Sequence, residues 1–137
     1  MEALFKTPFG SPGTVTTASI ITSALREVPG PLVGYVGLML PVMEDTRIAQ
    51  RWSEGAIDLD ALLAYSAVCG TGLDTIPLPG DVTEEQLARI IGHVAVLAHK
   101  WRKPLTARLR PDHGRKAGEM SAFDDPFLVN VKLQPVN

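Results

Sequence analysis

Apolar positions recur along this chain at two different spacings, and each change of spacing marks an element boundary. Val15, Ala18, Ile21, Ala24, Leu25 and Val28 follow a helical period and predict a helix with Thr14 as its N-cap, stopped by Pro29-Gly30-Pro31. Leu32 to Leu40 is a nearly unbroken apolar run, as expected of a strand covered on both faces. Gly34 and Gly37 within it predict close approach by another backbone or a ligand. Glu44 to Ser53 predicts a short surface helix with Ile48, Ala49 and Trp52 turned inward. A further helix begins at Asp58, which caps it, and carries Leu59, Leu62, Leu63 and Ser66 as a stripe. Gly70 suits the left-handed position after its last turn. Leu73 to Asp81 contains Pro77 and Pro79, so two ladder donors are missing and an extended loop or a sheet edge is expected rather than a central strand.

The clearest element is the helix from Thr83 to Arg102. Thr83-Glu84-Glu85-Gln86 matches the capping box, Val82 is placed to staple onto Leu87, and Pro104 closes the helix. Leu87, Ile90, Ile91, Val94, Ala98 and Trp101 form its expected inward stripe. Leu105 to Arg110 then alternates as a half-buried strand does. Phe127, Val129, Val131 and Leu133 alternate with Leu128, Asn130, Lys132 and Gln134 in an expected final strand. Helix and strand in alternation predict the α/β class with parallel pairing. Three or four strands are few for a covered sheet and leave open edges. The expected architecture is a single α/β segment over residues 1–137, an open sheet or partial (half) barrel, completed by homo-oligomerisation or by a partner chain.

Composition narrows the possible partners. Thirteen basic and fifteen acidic residues give a formal net charge of -2, so no positive field draws in a nucleic acid or an anionic membrane, and neither is expected. The densest basic run, Lys100-Trp101-Arg102-Lys103, falls at a helix end, where cations complement the macrodipole. The most apolar run, Leu32 to Met43, is broken by two glycines and a proline and is shorter than the roughly twenty residues that span a bilayer. A single cysteine, Cys69, excludes an internal disulfide and fits a reducing compartment. Met1 to Lys6 has neither the basic head nor the apolar stretch of a signal peptide, so a cytoplasmic location is expected.

Few residues offer chemistry. Cys69, the only thiol, lies between an apolar helix and a Gly-rich turn and is the candidate catalytic residue; the simpler reading is a buried packing thiol, because free cysteines are among the most buried residues. Asp74 and Asp81 flank the Pro-containing segment, where a bent loop would bring both carboxylates to one cation or hydroxylated small molecule. Turn and cap roles are the ordinary alternative. Gly13 and Thr14 end the run Gly10-Ser11-Pro12-Gly13-Thr14, a candidate anion cradle at a helix N-terminus or a plain helix-opening turn. The run lacks the lysine of a P-loop and the spacing of a dinucleotide fingerprint. His93, His99 and His113 form no metal spacing with Cys69 or the aspartates, so no metal site is expected, and no cofactor is indicated.

The segments Phe9-Gly10-Ser11-Pro12-Gly13-Thr14, Gly34 to Val42 and Cys69-Gly70-Thr71-Gly72-Leu73-Asp74 through Asp81 together resemble the family known as domain of unknown function 711 (DUF711). The likeness continues through the capped helix into Lys103-Pro104-Leu105-Thr106-Ala107-Arg108-Leu109 and the loop Gly114 to Glu119. Members of that family are considerably longer, so the chain looks like their C-terminal part. The resemblance implies a fold related to the closed α/β barrel of glycyl-radical enzymes and ribonucleotide reductases, in which a loop carrying a reactive cysteine enters the barrel. Arg115-Lys116-Ala117-Gly118-Glu119 is similar to the glycyl-radical signature except that Glu119 replaces its tyrosine. Two functional readings follow. One is a partial enzyme domain with a small-molecule site around the Cys69–Asp81 loop; the other is a non-catalytic binding or assembly subunit that completes a barrel with a partner chain.

Overall fold

The computed structural model describes residues 1–137. In chain order the elements are α1 (Glu2–Phe5), α2 (Thr14–Arg26), α3 (Thr46–Ser53), α4 (Leu59–Tyr65), β1 (Gly72–Pro79), α5 (Glu84–Trp101) and β2 (Thr106–Asp112). β1 and β2 pair in parallel through the α5 crossover, from Gly72 opposite Thr106 to Pro79 opposite Asp112. The sheet stops at these two strands and does not close. No helix is long and apolar enough to cross a membrane.

The Pro-containing segment is the centre of the fold, not a loop or an edge. All eight residues of β1 are buried. β2 occupies one edge, and on the other the Val42 amide donates to the Asp74 carbonyl at 3.0 Å, beside a Pro41–Asp74 bridge. Pro77 and Pro79 are two residues apart, so their missing donors fall on one edge, and a parallel ladder draws donors from alternate residues only. Two prolines in this phase leave the other edge intact.

Leu32 to Leu40 is not a strand. Val33 is 87% exposed and Leu32 and Tyr35 are also exposed; Gly34 and Gly37, with φ of 72° and 141°, turn the chain out of extended geometry. The expected close approach is real: Gly37 meets Gly70, whose φ is not positive. Gly70 is therefore not a left-handed cap. The cap role passes to Lys103, whose ammonium donates to the carbonyls of Ser66 at 2.8 Å and Cys69 at 2.5 Å.

Local signals at the helix starts mostly hold. Asp45 Oδ1 accepts from the amides of Arg47 and Ile48, both at 2.9 Å, and Asp58 Oδ1 accepts from the Ala61 amide at 2.8 Å. Thr83 and Gln86 form the full capping box of α5. At α2 the N-cap is Gly13, with φ of 103°, and Thr14 is instead the first helical residue. On α5 only Ile90 and Val94 are buried; Ile91 and Trp101 stay about half exposed, because two strands cannot cover the whole stripe.

The final strand does not form. Val131 and Leu133 are buried as expected, but Phe127 is 83% exposed and the only ladder contact is a Met120–Lys132 bridge. Backbone bonds outside a ladder hold this segment, from the Ser121 amide to the Val131 carbonyl and from the Leu133 amide to the Glu119 carbonyl, both at 2.8 Å, and side chains add to them. Trp52 Nε1 donates to the Lys132 carbonyl at 3.0 Å. Gln134 Nε2 donates to the carbonyls of Trp52 and Ile57, both at 2.8 Å. The result is two strands where three or four were expected, around a core that joins Trp52, Met43, Leu73, Ile76 and Leu78.

Candidate functional site

The most unusual chemistry sits on the face of the sheet where β1 and β2 bring Asp74 beside Arg108. Arg108 Nε donates to Asp74 Oδ1 at 2.7 Å, and Nη2 donates to Glu44 Oε1 at 2.7 Å. The Asp74 side chain is 7% exposed and that of Arg108 46%. A carboxylate this buried requires a partner, and Arg108 supplies it. The next residue, Thr75, is buried with φ of 45°, a left-handed conformation that is costly for a β-branched side chain. The strain coincides with the one irregularity of the ladder, between Leu73 and Ile76. On β2, Arg110 Nε is buried with no partner, as is Thr71 Oγ1 ahead of β1.

The other sequence candidates are placed apart. Cys69 is fully buried; its Sγ accepts from the Gly72 amide at 3.1 Å and donates to the Gly72 carbonyl at 3.7 Å. Burial pushes the Lys103 ammonium beside it below the ordinary lysine range, with Cys69 opposing that shift and Arg26 adding to it. Asp81 is exposed in the turn after β1. At about 3.3 Å per residue, β1 carries the chain roughly 16 Å from Asp74 to Pro79 before the turn that holds Asp81, too far for one small ligand. Gly13 and Thr14 stand at the start of α2. Thr14 Oγ1 accepts from the Gly10 amide at 3.0 Å and donates to the Ser11 carbonyl at 2.8 Å, and Thr17 Oγ1 donates to the Gly13 carbonyl at 2.9 Å. Burial raises the Tyr65 phenol above its usual pKa, partly offset by a hydrogen bond with Thr14. The Arg115–Glu119 run is an exposed turn in which Glu119 accepts from the Lys116 amide at 2.6 Å.

An apolar basin of about 540 Å³ escaped the sequence. Phe9, Ile21, Leu38, Leu40 and Ile48 line it, with Glu2 and Arg47 among its polar groups. Glu2 Oε1 accepts from Arg51 Nε and from the Phe9 amide, both at 2.8 Å. The Arg51 hydrogen bond, and after it the Phe9 amide, hold the Glu2 carboxyl at a pKa of about 2. Its walls come from segments dozens of residues apart, so no local pattern announces it. A smaller pocket of about 160 Å³ lies between α4, α5 and the last residues, with Asp58, Arg89, His93 and Gln134 in its walls. No three His, Cys, Asp or Glu side chains come together to hold a metal ion.

Residues 1–124 match the family model described as Uncharacterised ACR (DUF711). The chain belongs to the DUF711 family. A UPF0210 protein of Pyrobaculum aerophilum is 41% identical over 87% of this chain and 28% of its own length. A UPF0210 protein of Listeria monocytogenes serotype 4a is 33% identical over 93% of this chain and 29% of its own. One from Desulforudis audaxviator is 32% identical over 100% of this chain and 31% of its own. This DUF711 chain thus spans less than a third of the length of these relatives. No solved structure matches it. The family match takes in every candidate residue above, Gly13, Thr14, Cys69, Asp74 and Asp81, and both strands.

Proposed function

We propose that this chain is the C-terminal part of a longer α/β fold related to the glycyl-radical enzyme and ribonucleotide reductase barrel, acting in the cytoplasm as a binding and assembly segment. The observation that carries this reading is the contrast between its two strands. β1 is wholly buried, whereas β2 pairs on one edge only and is mostly half-buried, with Arg108 exposed. An unpaired edge is satisfied by a further strand, supplied by another copy, a partner chain or the rest of a longer family member. The sealed thiol of Cys69 and the separation of Asp74 from Asp81 favour assembly over catalysis by those groups.

A small-molecule site on the Asp74 face is the second reading, favoured by the strained Thr75 and the unpartnered Arg110 Nε. Strain of this kind collects at functional sites.

Co-expression tests the main reading. The 137-residue chain is produced alone and together with the part of the Pyrobaculum aerophilum relative that it does not match. A stoichiometric complex with a raised denaturation midpoint is expected. A chain that stays monomeric, unfolds cooperatively by itself and binds nothing of that relative would overturn the proposal.

A further inference from the structure

Two arginines project from one face of β2, and the chain provides acceptors for only one of them. Arg108 and Arg110 are alternate residues of the strand, so their side chains leave the same face with Cα atoms roughly 7 Å apart. Ladder partners run Leu73–Ala107 and then Ile76–Leu109, which leaves Asp74 and Thr75 together opposite Arg108. A bulge of this kind re-aims side chains and is common beside active sites. Here it seats Asp74 on Arg108, whose Nε and Nη2 are engaged by Asp74 and Glu44. The ion pairs of β2 end there. Arg110 forms none, and its Nε is buried without a partner, opposite the fully buried Pro77. Asp112, the next residue on the same face, is 7% exposed, and its Oδ2 accepts from the Ala122 amide at 2.7 Å rather than from Arg110. A charged donor withdrawn from water calls for an acceptor, and the chain supplies none.

The donors left over define what fits. A guanidinium presents its N–H groups as a planar fork that matches a carboxylate bidentately. Arg108 Nη1, which meets no protein acceptor, is a second donor on the same face. Charge then selects among oxyanions. Asp74, Glu44 and Asp112 set three carboxylates around two guanidiniums, so a doubly charged phosphate is repelled, whereas a monoanion matches the single unpaired cation. A metal cation has no comparable place, because Arg108 already bridges Asp74 and Glu44 and no three acidic, His or Cys side chains gather. We infer that Arg110, with Arg108 Nη1 beside it, binds the carboxylate group of a small monocarboxylic acid. The inference rests on the reading of the Asp74 face as a small-molecule site and names the chemistry that site recognises.

Arginine Nε–H signals in the NMR spectrum of the full chain report each guanidinium separately, and acetate is the probe. Added at a constant ionic strength of about 0.15 M, balanced with chloride, acetate is expected to shift the Arg110 Nε–H signal along a saturating curve and to raise the thermal midpoint. Arg110→Met and Arg110→Lys should each weaken acetate binding at least about tenfold, read from the midpoint, since lysine keeps the charge but not the fork. Circular dichroism confirms that both variants keep the fold. Inorganic phosphate that shifts the Arg110 signal at lower concentration than acetate would overturn the carboxylate assignment and leave a small-molecule site on this face. Shifts that grow linearly with every anion, together with an unchanged acetate response in Arg110→Lys, would show screening alone and overturn the site itself.

Discussion

Gly70 and Gly37 meet backbone to backbone: a Cβ on Gly70 would lie 2.8 Å from the Gly37 carbonyl carbon, and one on Gly37 2.9 Å from the Gly70 Cα. The Gly70 amide also donates to the Leu38 carbonyl at 2.6 Å. This crossing ties the exposed run from Leu32 to the loop that carries Cys69, and it leads directly into β1.

Gly70→Ala is therefore expected to destabilise the chain by about 1–3 kcal/mol, since neither backbone has room to yield. Gly92→Ala, in the open middle of α5, should instead stabilise by up to about 1 kcal/mol through helix propensity. Urea midpoints of the two variants at low concentration compare them, and equal shifts would mean that the crossing is looser than described.

Arg108→Met leaves Asp74 buried without its cation. A loss of roughly 1–3 kcal/mol is expected, below the full cost of a broken buried pair because Arg108 is half exposed and partly screened by water. Glu44→Gln removes only the outer partner and should change stability by less than about 0.5 kcal/mol. Thermal melts at one pH rank the two.

Glu2 gives acid sensitivity a definite sign. Its folded-state pKa of about 2 lies below the ordinary value of 4.5, so folding favours the ionised form. The stabilisation is complete above pH 4.5 and is lost as the pH falls towards 2. Glu2→Gln should consequently lose less stability than the parent between pH 5 and pH 3, read as the shift of the urea midpoint. Parallel pH profiles would show that the Arg51 contact does not form in solution.

Cys69 should react with thiol reagents only when the chain opens. Labelling in native buffer is expected to be slowed by at least about a hundredfold relative to the denatured chain, following the free energy of local opening. Cys69→Ala should cost about 1–2 kcal/mol for the lost packing. Rapid native labelling with a neutral Cys69→Ala would return the loop to consideration as a reactive site.

The starts of α4 and α5 were legible in the sequence because a cap is a contact over three residues: Asp58 and Thr83 each bond to an amide of their own first turn, whereas α3, expected from Glu44, opens two residues later behind the Asp45 cap. The inward set Ile48, Ala49 and Trp52 followed from local periodicity for the same reason. Membership of the DUF711 family was also legible, because it rests on residue strings and not on geometry. Cys69, Gly13 and Thr14 could be named, but not whether their polar atoms were already used by neighbours in the fold.

What only the tertiary structure decided is which segments lie against β1. Leu32 to Leu40 has the composition of a buried strand, yet its glycines turn it outward and only Pro41 and Val42 reach Asp74. Leu73 to Asp81 has the prolines of an edge, yet it becomes the buried strand because one partner edge suffices for its remaining donors. The Asp74–Arg108–Glu44 cluster joins residues 34 and 64 positions apart. Such pairings carry no local periodicity; they are fixed only when the α5 crossover sets β2 beside β1 and one register wins over its neighbours.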